Sequence, residues 1–419
     1  MADARVRLSA NDWFVAGVAG MVSYIDASAV VTTGVALVIY QKAFGLTAMQ
    51  IGYLSSSLGL MVAAGALVGG RLSDVFGRKR LFQLTLWGLV ASCLVMVLAN
   101  GFAILLTGCV LLGFFVGASL PASLALIGET APPGARGKMV TFSQVLWNVG
   151  ILVTQIIVAI VSDAGALGGR ILFAHLVVVS SIILALHSRL PESASWAADH
   201  RTLEHSAARP SGMTQILTLL RRPYLPLFVG LALFYGLAQV AASIKAQFLG
   251  FMFVNVAGST LRLYSFAYIT VMVVGVIAMI LFMRVVDGPN RLRWFVAGAI
   301  SFTLSFAVPA AFGVTVEMLF VSSVLSGFGA ALAFEGMMKV WAQEFFPTLL
   351  LGTAQGSLIA FARVLAAIMA IWAPTLLMLD ARGFFAFLTV VMATAMLIGL
   401  SLSFVSRRRR GPGAVAVPA

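Results

Sequence analysis

Ionisable side chains interrupt several long apolar stretches of this 419-residue sequence, namely Asp26, Lys245, Glu335, Lys339 and Arg363. Such a residue in the middle of a membrane span costs ~2.5–3.5 kcal/mol on insertion scales, and it commonly marks an ion or solute pathway. Asp26 lies near the middle of the first stretch, and burial favours the neutral, protonated form of a carboxylate. We therefore predict that Asp26 binds and releases a proton as its access to water alternates. The alternative is a buried ion pair that never titrates.

The charged residues of the later stretches divide between coupling and solute binding. Arg363 is permanently charged, so we expect it to pair with Asp26 or Glu335, or to bind an anionic group of the solute, which keeps organic acids open. Glu335 and Lys339 are four residues apart and share a helix face, where they either neutralise each other or contact the solute. We predict Asp26, Arg363 and Glu335 as the proton-coupling residues and assign Lys339 to the solute site.

Neutral polar and aromatic residues on two other stretches suit a sugar, which needs many hydrogen-bond partners and flat apolar faces. Gln144, Trp147 and Asn148 lie close together, and the two amides share a helix face. Gln239 lies 213 residues after Asp26. Alternatively, these side chains only join neighbouring helices. We predict a solute site formed by Gln144, Trp147, Asn148, Gln239 and Lys339.

Membrane-spanning helices must position these residues. The sequence is 61% hydrophobic and only 10% charged, whereas soluble proteins carry roughly 25% charged residues. Runs of about 20 apolar residues suit helices that cross the ~30 Å hydrocarbon layer and satisfy their own backbone groups. We predict an all-α integral membrane protein with twelve spans, near residues 13–40, 49–70, 81–99, 102–128, 139–162, 169–189, 224–254, 263–286, 294–313, 316–343, 353–379 and 383–405.

Positive charge orients the spans. If the N-terminus is cytoplasmic, 20 of the 27 Lys and Arg residues fall in inner segments and only four in outer loops, as the positive-inside rule expects. The net charge of +13 is then a feature of the inner membrane face, which argues against nucleic-acid binding. We expect a multi-pass protein of the cytoplasmic membrane with both termini inside, which acts as a monomer in the lipid bilayer. We expect no enzymatic activity, metal or cofactor.

Two motifs occur twice along the chain at nearly one spacing. The stretch RLSDVFGR from Arg71 returns as RVVDGPNR from Arg284, and ETAP from Glu129 returns as EFFP from Glu344, at offsets of 213 and 215 residues. Many transporters are built from duplicated halves, with the solute site near the middle of the membrane. We predict an N-terminal six-helix bundle over 1–190, a cytoplasmic linker over 191–223, a C-terminal six-helix bundle over 224–405 and a short basic cytoplasmic tail over 406–419.

The repeated loops carry carboxylates and arginines at the predicted inner membrane edge. A carboxylate beside arginines can pair in one conformation and separate in another, forming a latch worth on the order of 1 kcal/mol per exposed pair. The alternative is that the basic loops only anchor the inner face. The predicted gating residues are Asp74, Gly77, Arg78, Glu129, Arg136, Asp287, Arg291 and Glu344.

Residues 70–80, GRLSDVFGRKR, resemble the signature loop of the major facilitator superfamily at each of its defining positions. ETAP with the following Arg136, Gly137 and Gln144, and PESASW over 191–196, resemble the sugar porter branch. EFFPT from Glu344 and GTAQG from Gly352 are similar to bacterial inositol-type members. The resemblance implies two pseudo-symmetric six-helix bundles that work by alternating access. It also implies a sugar contact at Gln144 and an acidic coupling residue in the first span.

The sequence departs from the sugar porter pattern at substrate and coupling positions. Cys109 and Leu351 stand where the branch has arginines, Ile244 where it has an asparagine, and Lys339 where it has a tryptophan. We predict a secondary active transporter that moves a sugar or polyol, inositol-like, as a proton symporter driven by the proton gradient. The alternatives are efflux of a sugar-like or drug-like product, transport of an organic acid, and a sensor that binds solute without moving it.

Overall fold

The computed structural model of the protein describes residues 8–132, 136–190, 217–285 and 290–410. The regular secondary structure of these segments is helical. The first part contains α1 (Ala10–Phe44), α2 (Ala48–Phe76), α3 (Arg78–Val97), α4 (Phe102–Thr130), α5 (Arg136–Val161) and α6 (Ala166–His187). The second part contains α7 (Leu225–Phe251), a π-helical turn (Met252–Val256), α8 (Leu261–Val285), α9 (Arg291–Phe312), α10 (Val316–Ala333), α11 (Glu335–Phe345) and α12 (Thr348–Arg410).

The lengths and composition of these helices agree with the predicted spans. Within the described residues, ten helical segments are long and apolar enough to cross a membrane, and α5 adds a shorter apolar stretch over Val145–Val161. The long helix α12 holds two crossings, because Asp380 interrupts it with φ −151° and ψ 85°. The described segments thus accommodate all twelve predicted spans, and the prediction of a multi-pass, all-α membrane protein is confirmed.

The tenth span, predicted as one helix over 316–343, is broken in the structure. Phe334, with φ −123° and ψ −119°, separates α10 from α11. Its ring stacks on Tyr235 with centroids 5.4 Å apart and meets Phe302 edge-on at 5.7 Å. Tertiary packing therefore holds the break, and neither proline nor glycine at this position signals it in the sequence.

The chain divides into two compact units, Met1–Ala208 and Arg209–Ala419, with their boundary inside the predicted linker. In the first unit α1 packs on α4, α5 and α6, while α2 and α3 pack on α4. A methyl group at Gly117 of α4 would lie 2.1 Å from the carbonyl oxygen of Val62 on α2. The two backbones are therefore in contact, as small residues allow in membrane helix pairs.

In the second unit α7 and α9 pack on α12, while α8 and α9 pack on α10. The buried ring of Trp341 on α11 lies between Phe234 of α7 and Phe295 of α9, with centroids 5.1 and 5.2 Å away. Aromatic contacts of this kind contribute about 0.5–1.5 kcal/mol beyond the burial of their area. They fix the short helix that follows the break against two long spans.

Candidate functional site

The carboxylate of Asp26 is buried within the first unit, on α1. The residue is 6% exposed, and the indole Nε1 of Trp147 on α5 donates a hydrogen bond to its Oδ2 at 3.3 Å. The two helices are in close contact here, because a methyl group at Gly150 would lie 2.5 Å from the carbonyl oxygen of Tyr24. The carboxylate therefore lies against a polar partner inside the unit.

Trp147 lies on the side of α5 opposite its exposed apolar surface. That surface is marked by the side chains of Val145, Val149, Ile156 and Ile160. At 3.6 residues per turn, Trp147 is about 170° from their mean direction. Asn148 is half-buried on the same helix, whereas the side chain of Gln144 lies outside the described part of the structure. Of the three predicted solute contacts on this helix, Trp147 is the one that meets Asp26.

A second polar pair, which the sequence did not predict, includes a neighbour of Asp26 on α1. The hydroxyl of Tyr24 shares a 2.6 Å hydrogen bond with Nε2 of His175 on α6, and the two rings meet edge-on with centroids 5.7 Å apart. His175 lies near the middle of α6, so a histidine inside an apolar stretch was the available signal. The first unit thus places a carboxylate, an indole, a phenol and an imidazole on three helices. No group of three or more His, Cys, Asp or Glu residues suited to a metal ion occurs among the described residues.

Polar side chains follow one face of α7 in steps of four residues, at Tyr235, Gln239 and Ser243. The amide Nε2 of Gln239 donates to the Oγ of Ser243 at 2.6 Å, and both residues are half-buried. The predicted solute contact Gln239 therefore belongs to a polar stripe, which we call the α7 stripe, on a helix that is otherwise largely apolar.

The exposed face of α11 is also polar, with Glu335, Lys339 and Gln343 in steps of four. The Nζ of Lys339 lies 2.7 Å from Oε1 of Glu335, and each side chain is 47% exposed. A polar face of this kind on a membrane-embedded helix indicates a water-filled space rather than lipid. Of the two readings that the sequence left open, mutual neutralisation is the contact that the structure contains.

Arg363 lies on the first crossing of α12 and is half-buried. The exposed apolar side chains of this crossing are Phe361, Val364, Ile368 and Trp372. Arg363 is about 145° from their mean direction, so it faces away from the lipid side. Arg363 and Glu335 both act electrostatically on the hydroxyl of Tyr235, which places them near the α7 stripe.

Lys245 of α7 is a buried ammonium with neutral partners. It is 4% exposed, and its Nζ donates to the carbonyl oxygen of Ser322 at 2.8 Å and to the Oγ of the same residue at 2.6 Å. The Nζ also lies 5.1 Å from the ring centroid of Phe306. Hydrogen bonds from a charged donor and a cation–π contact offset part of the desolvation of the ammonium.

An ion pair joins the start of α3 to the end of α4. The Nη2 of Arg78 lies 3.1 Å from Oε1 of Glu129, and the Nη1 of Arg78 donates to the carbonyl oxygen of Ser73 at 2.7 Å. Gly77 is the single residue between α2 and α3, and its φ of 95° is a conformation that favours glycine. The predicted gating residues Gly77, Arg78 and Glu129 therefore form one compact corner.

The second unit repeats this ion pair. The Nη1 of Arg291, at the start of α9, lies 2.7 Å from Oε1 of Glu344, near the end of α11. Ser406, near the end of α12, donates a hydrogen bond to the same carboxylate. The two pairs are 213 and 215 residues apart, which are the offsets of the sequence repeat. Three other predicted gating residues lie outside the described side chains, namely Asp74, Arg136 and Asp287.

Known proteins resemble this chain over most of its length. Residues 12–213 match the family described as sugar (and other) transporter. The chain is 29% identical over 391 residues to the minor myo-inositol transporter of Bacillus subtilis (strain 168), covering 91% of this chain and 88% of that one. It is 33% identical over 208 residues to the 3-(3-hydroxy-phenyl)propionate transporter of Escherichia coli (strain K12), covering 49% of this chain and 50% of that one. A D-xylose-proton symporter of known crystal structure is similar with a TM-score of 0.75 and 17% identity, covering 93% of this chain and 96% of that one.

Proposed function

Because this chain belongs to the major facilitator superfamily and resembles its sugar porter branch, we propose that it carries an inositol-like polyol or a sugar across the cytoplasmic membrane together with a proton. Both termini would lie on the cytoplasmic side, and the protein would act as a monomer. The names of two similar proteins support the solute class, since one transports myo-inositol and the other couples D-xylose to protons. The proton gradient would supply the driving force.

The observation that carries the coupling proposal is the buried Asp26 with its indole partner. Once protonated, this carboxyl group is neutral and suited to the apolar interior of a span. Once ionised, it needs hydrogen bonds to its charge, and the Nε1 of Trp147 supplies one at 3.3 Å. Asp26 would therefore exchange a proton when water reaches it, and the indole would report the charge state to α5.

Amide, hydroxyl and aromatic groups in each unit would bind the solute. In the first unit Trp147 offers a flat ring, and Gln144 and Asn148 offer amides on the same helix. In the second unit the α7 stripe presents Gln239, and the polar face of α11 presents Lys339. Neutral donors and acceptors of this kind match the hydroxyl groups of a sugar or polyol better than the charge of an inorganic ion.

The two Arg–Glu pairs would hold the helix ends of each unit together while the transporter changes conformation. Each pair joins the start of one span to the end of the next within its own unit. Each unit would then move as a body, because its ends cannot separate without breaking a charge-assisted hydrogen bond. Whether the same residues also form a latch with other loops stays a prediction from the sequence.

Transport by purified protein in liposomes tests the coupling and the solute class together. We expect an inward-directed proton gradient to drive accumulation of myo-inositol or D-xylose. Asp26→Asn should abolish that accumulation but preserve solute exchange, because exchange requires no net proton movement. Asp163→Asn is the matched control, since it removes an exposed carboxylate from the same unit.

Two results would contradict this proposal in different ways. Normal gradient-driven accumulation by Asp26→Asn would remove Asp26 from coupling, while leaving the solute class intact. Failure of the wild-type protein to bind or move any sugar, polyol or sugar derivative, in thermal-shift and exchange assays, would refute the solute class itself.

A further inference from the structure

The deep ionisable groups of the second unit are predominantly positive. Within the described part of its spans, Lys245, Lys339 and Arg363 lie away from the helix ends, and Glu335 is the acidic residue among them. Each such charge is costly in a membrane unless something compensates it. The excess of positive charge therefore requires a partner for each cation.

Two of these three cations have partners within the unit. Lys339 pairs with Glu335 at 2.7 Å, and Lys245 donates both to the carbonyl and to the hydroxyl oxygen of Ser322. Arg363 makes no hydrogen bond or ion pair with any residue in the segments that the structure describes. Its position about 145° from the apolar exposed face of α12 also separates it from the lipid side.

The surroundings of Arg363 are suited to a ligand that carries hydroxyl groups. α12 packs on α7 beside the α7 stripe, since a methyl group at Gly236 would lie 2.8 Å from the ring of Phe361. The hydroxyl of Tyr235 is within the electrostatic influence of Arg363. Gln239 lies one turn further along the stripe. A guanidinium is thus placed beside neutral hydrogen-bonding groups.

We infer that Arg363 binds an anionic group of the solute, and that the solutes of this protein are hydroxylated carboxylic acids, such as sugar acids. This inference rests on the proposed function and narrows its solute class. The planar guanidinium donates two parallel hydrogen bonds to a carboxylate. The amide and hydroxyl groups of the α7 stripe then bind the hydroxyl groups of the same molecule.

A matched pair of ligands isolates the contribution of the carboxylate. D-Glucuronate differs from D-glucose by oxidation of one terminal carbon, and D-galacturonate differs from D-galactose in the same way. We expect purified wild-type protein in nanodiscs to bind each acid at least tenfold more tightly than the corresponding neutral sugar, since hydrogen bonds to charged groups are roughly twice as strong as neutral ones. Calorimetry measures the four affinities directly, and myo-inositol serves as a further neutral ligand.

Substitutions then assign the preference to Arg363. Arg363→Gln should abolish the preference for the acids while retaining affinity for the neutral sugars, whereas Arg363→Lys should retain part of it. Arg382→Gln removes an equal charge from an exposed position of the same unit and should leave the preference unchanged. Thermal unfolding of each variant verifies folding, and Arg363→Lys keeps the test decisive if Arg363→Gln does not fold.

The outcomes separate this inference from the proposed function. If wild-type protein binds a neutral sugar or myo-inositol as tightly as the acids, the inference is wrong and the proposed function stands. If Arg363→Gln keeps the full preference for the acids, the site lies elsewhere and the inference is likewise wrong. If neither acids nor neutral compounds bind, the proposed solute class fails as well.

Discussion

Gly150 offers a direct test of the contact that positions Asp26. A methyl group added at this residue of α5 would lie 2.5 Å from the carbonyl oxygen of Tyr24 and 2.8 Å from the Oγ of Ser28, both on α1. A non-bonded contact near its optimum is about 3.5 Å, so Gly150→Ala must push the helices apart by up to about 1 Å. The backbone carbonyl cannot rotate away within a helix, and the helices themselves must move.

The expected magnitude follows from two opposing effects. Replacing glycine by alanine in a helix gains about 0.5–1 kcal/mol of helix stability, whereas overpacking costs about 1–3 kcal/mol. Gly17→Ala, also on α1, meets nothing within 4 Å and shares only the gain. Gly150→Ala should therefore be less stable than Gly17→Ala by roughly 1–3 kcal/mol.

The same displacement should weaken coupling. The hydrogen bond from Trp147 to Asp26 is 3.3 Å long, and lengthening it toward 4 Å removes it. Denaturant unfolding in detergent measures the difference in stability, and liposome assays measure proton-driven accumulation. Equal stability of Gly150→Ala and Gly17→Ala, together with unchanged accumulation, would refute the close α1–α5 contact and the role assigned to it.

Two further predictions concern the ion pairs and the driving force. Glu344→Gln should destabilise the protein by about 1–3 kcal/mol, and Glu129→Gln by less, because the Arg291–Glu344 pair is shorter than the Arg78–Glu129 pair, at 2.7 against 3.1 Å. Denaturant unfolding in detergent measures both, and the opposite order would contradict the geometry. If one proton accompanies one monovalent acid anion, the transported pair carries no net charge, so an imposed pH gradient should drive uptake and a potassium–valinomycin potential should not. Uptake of D-glucuronate that follows the membrane potential would contradict this stoichiometry.

The sequence predicted the spans well because the bilayer imposes their length and polarity. Stretches with few charges and about 20 apolar residues have few structural alternatives. The break at Phe334 escaped prediction, because ring contacts with Tyr235 and Phe302 accompany it and no helix-breaking residue stands there. Asp380 interrupts α12 between the predicted eleventh and twelfth spans, where the apolar pattern also lapses.

The side chains of the candidate site were easier to choose than to pair. Asp26 was identifiable because a carboxylate in an apolar stretch demands an explanation. Its partner Trp147 lies 121 residues away and was predicted only as a solute contact. The hydrogen bond between Tyr24 and His175 spans 151 residues and had no counterpart in any local pattern. Such pairings depend on which helix faces meet, and one sequence does not specify this.

The gating motifs show the same distinction between residue choice and pairing. The loop spacing suggested that Asp74 and Arg78 act together, whereas the structure joins Arg78 to Glu129 across two helices. The equivalent pair, Arg291 with Glu344, could have been inferred from the repeat, because both residues lie at nearly one offset from their counterparts. Two motifs that shift together by the same distance indicate contact between them, and this signal is stronger than closeness within a loop.

The repeat also explains why the two units can divide the work of coupled transport. Duplication supplied one helical frame twice, as the corresponding Arg–Glu pairs show, but the interior residues of the two frames differ. Gln239 lies 213 residues after Asp26, so a neutral amide occupies the position equivalent to the buried carboxylate. The second unit has gained Arg363 in addition to its internally bound Lys245. On our proposals, the first unit binds the proton and the second binds the anion, and each can change its affinity without altering the frame that both share.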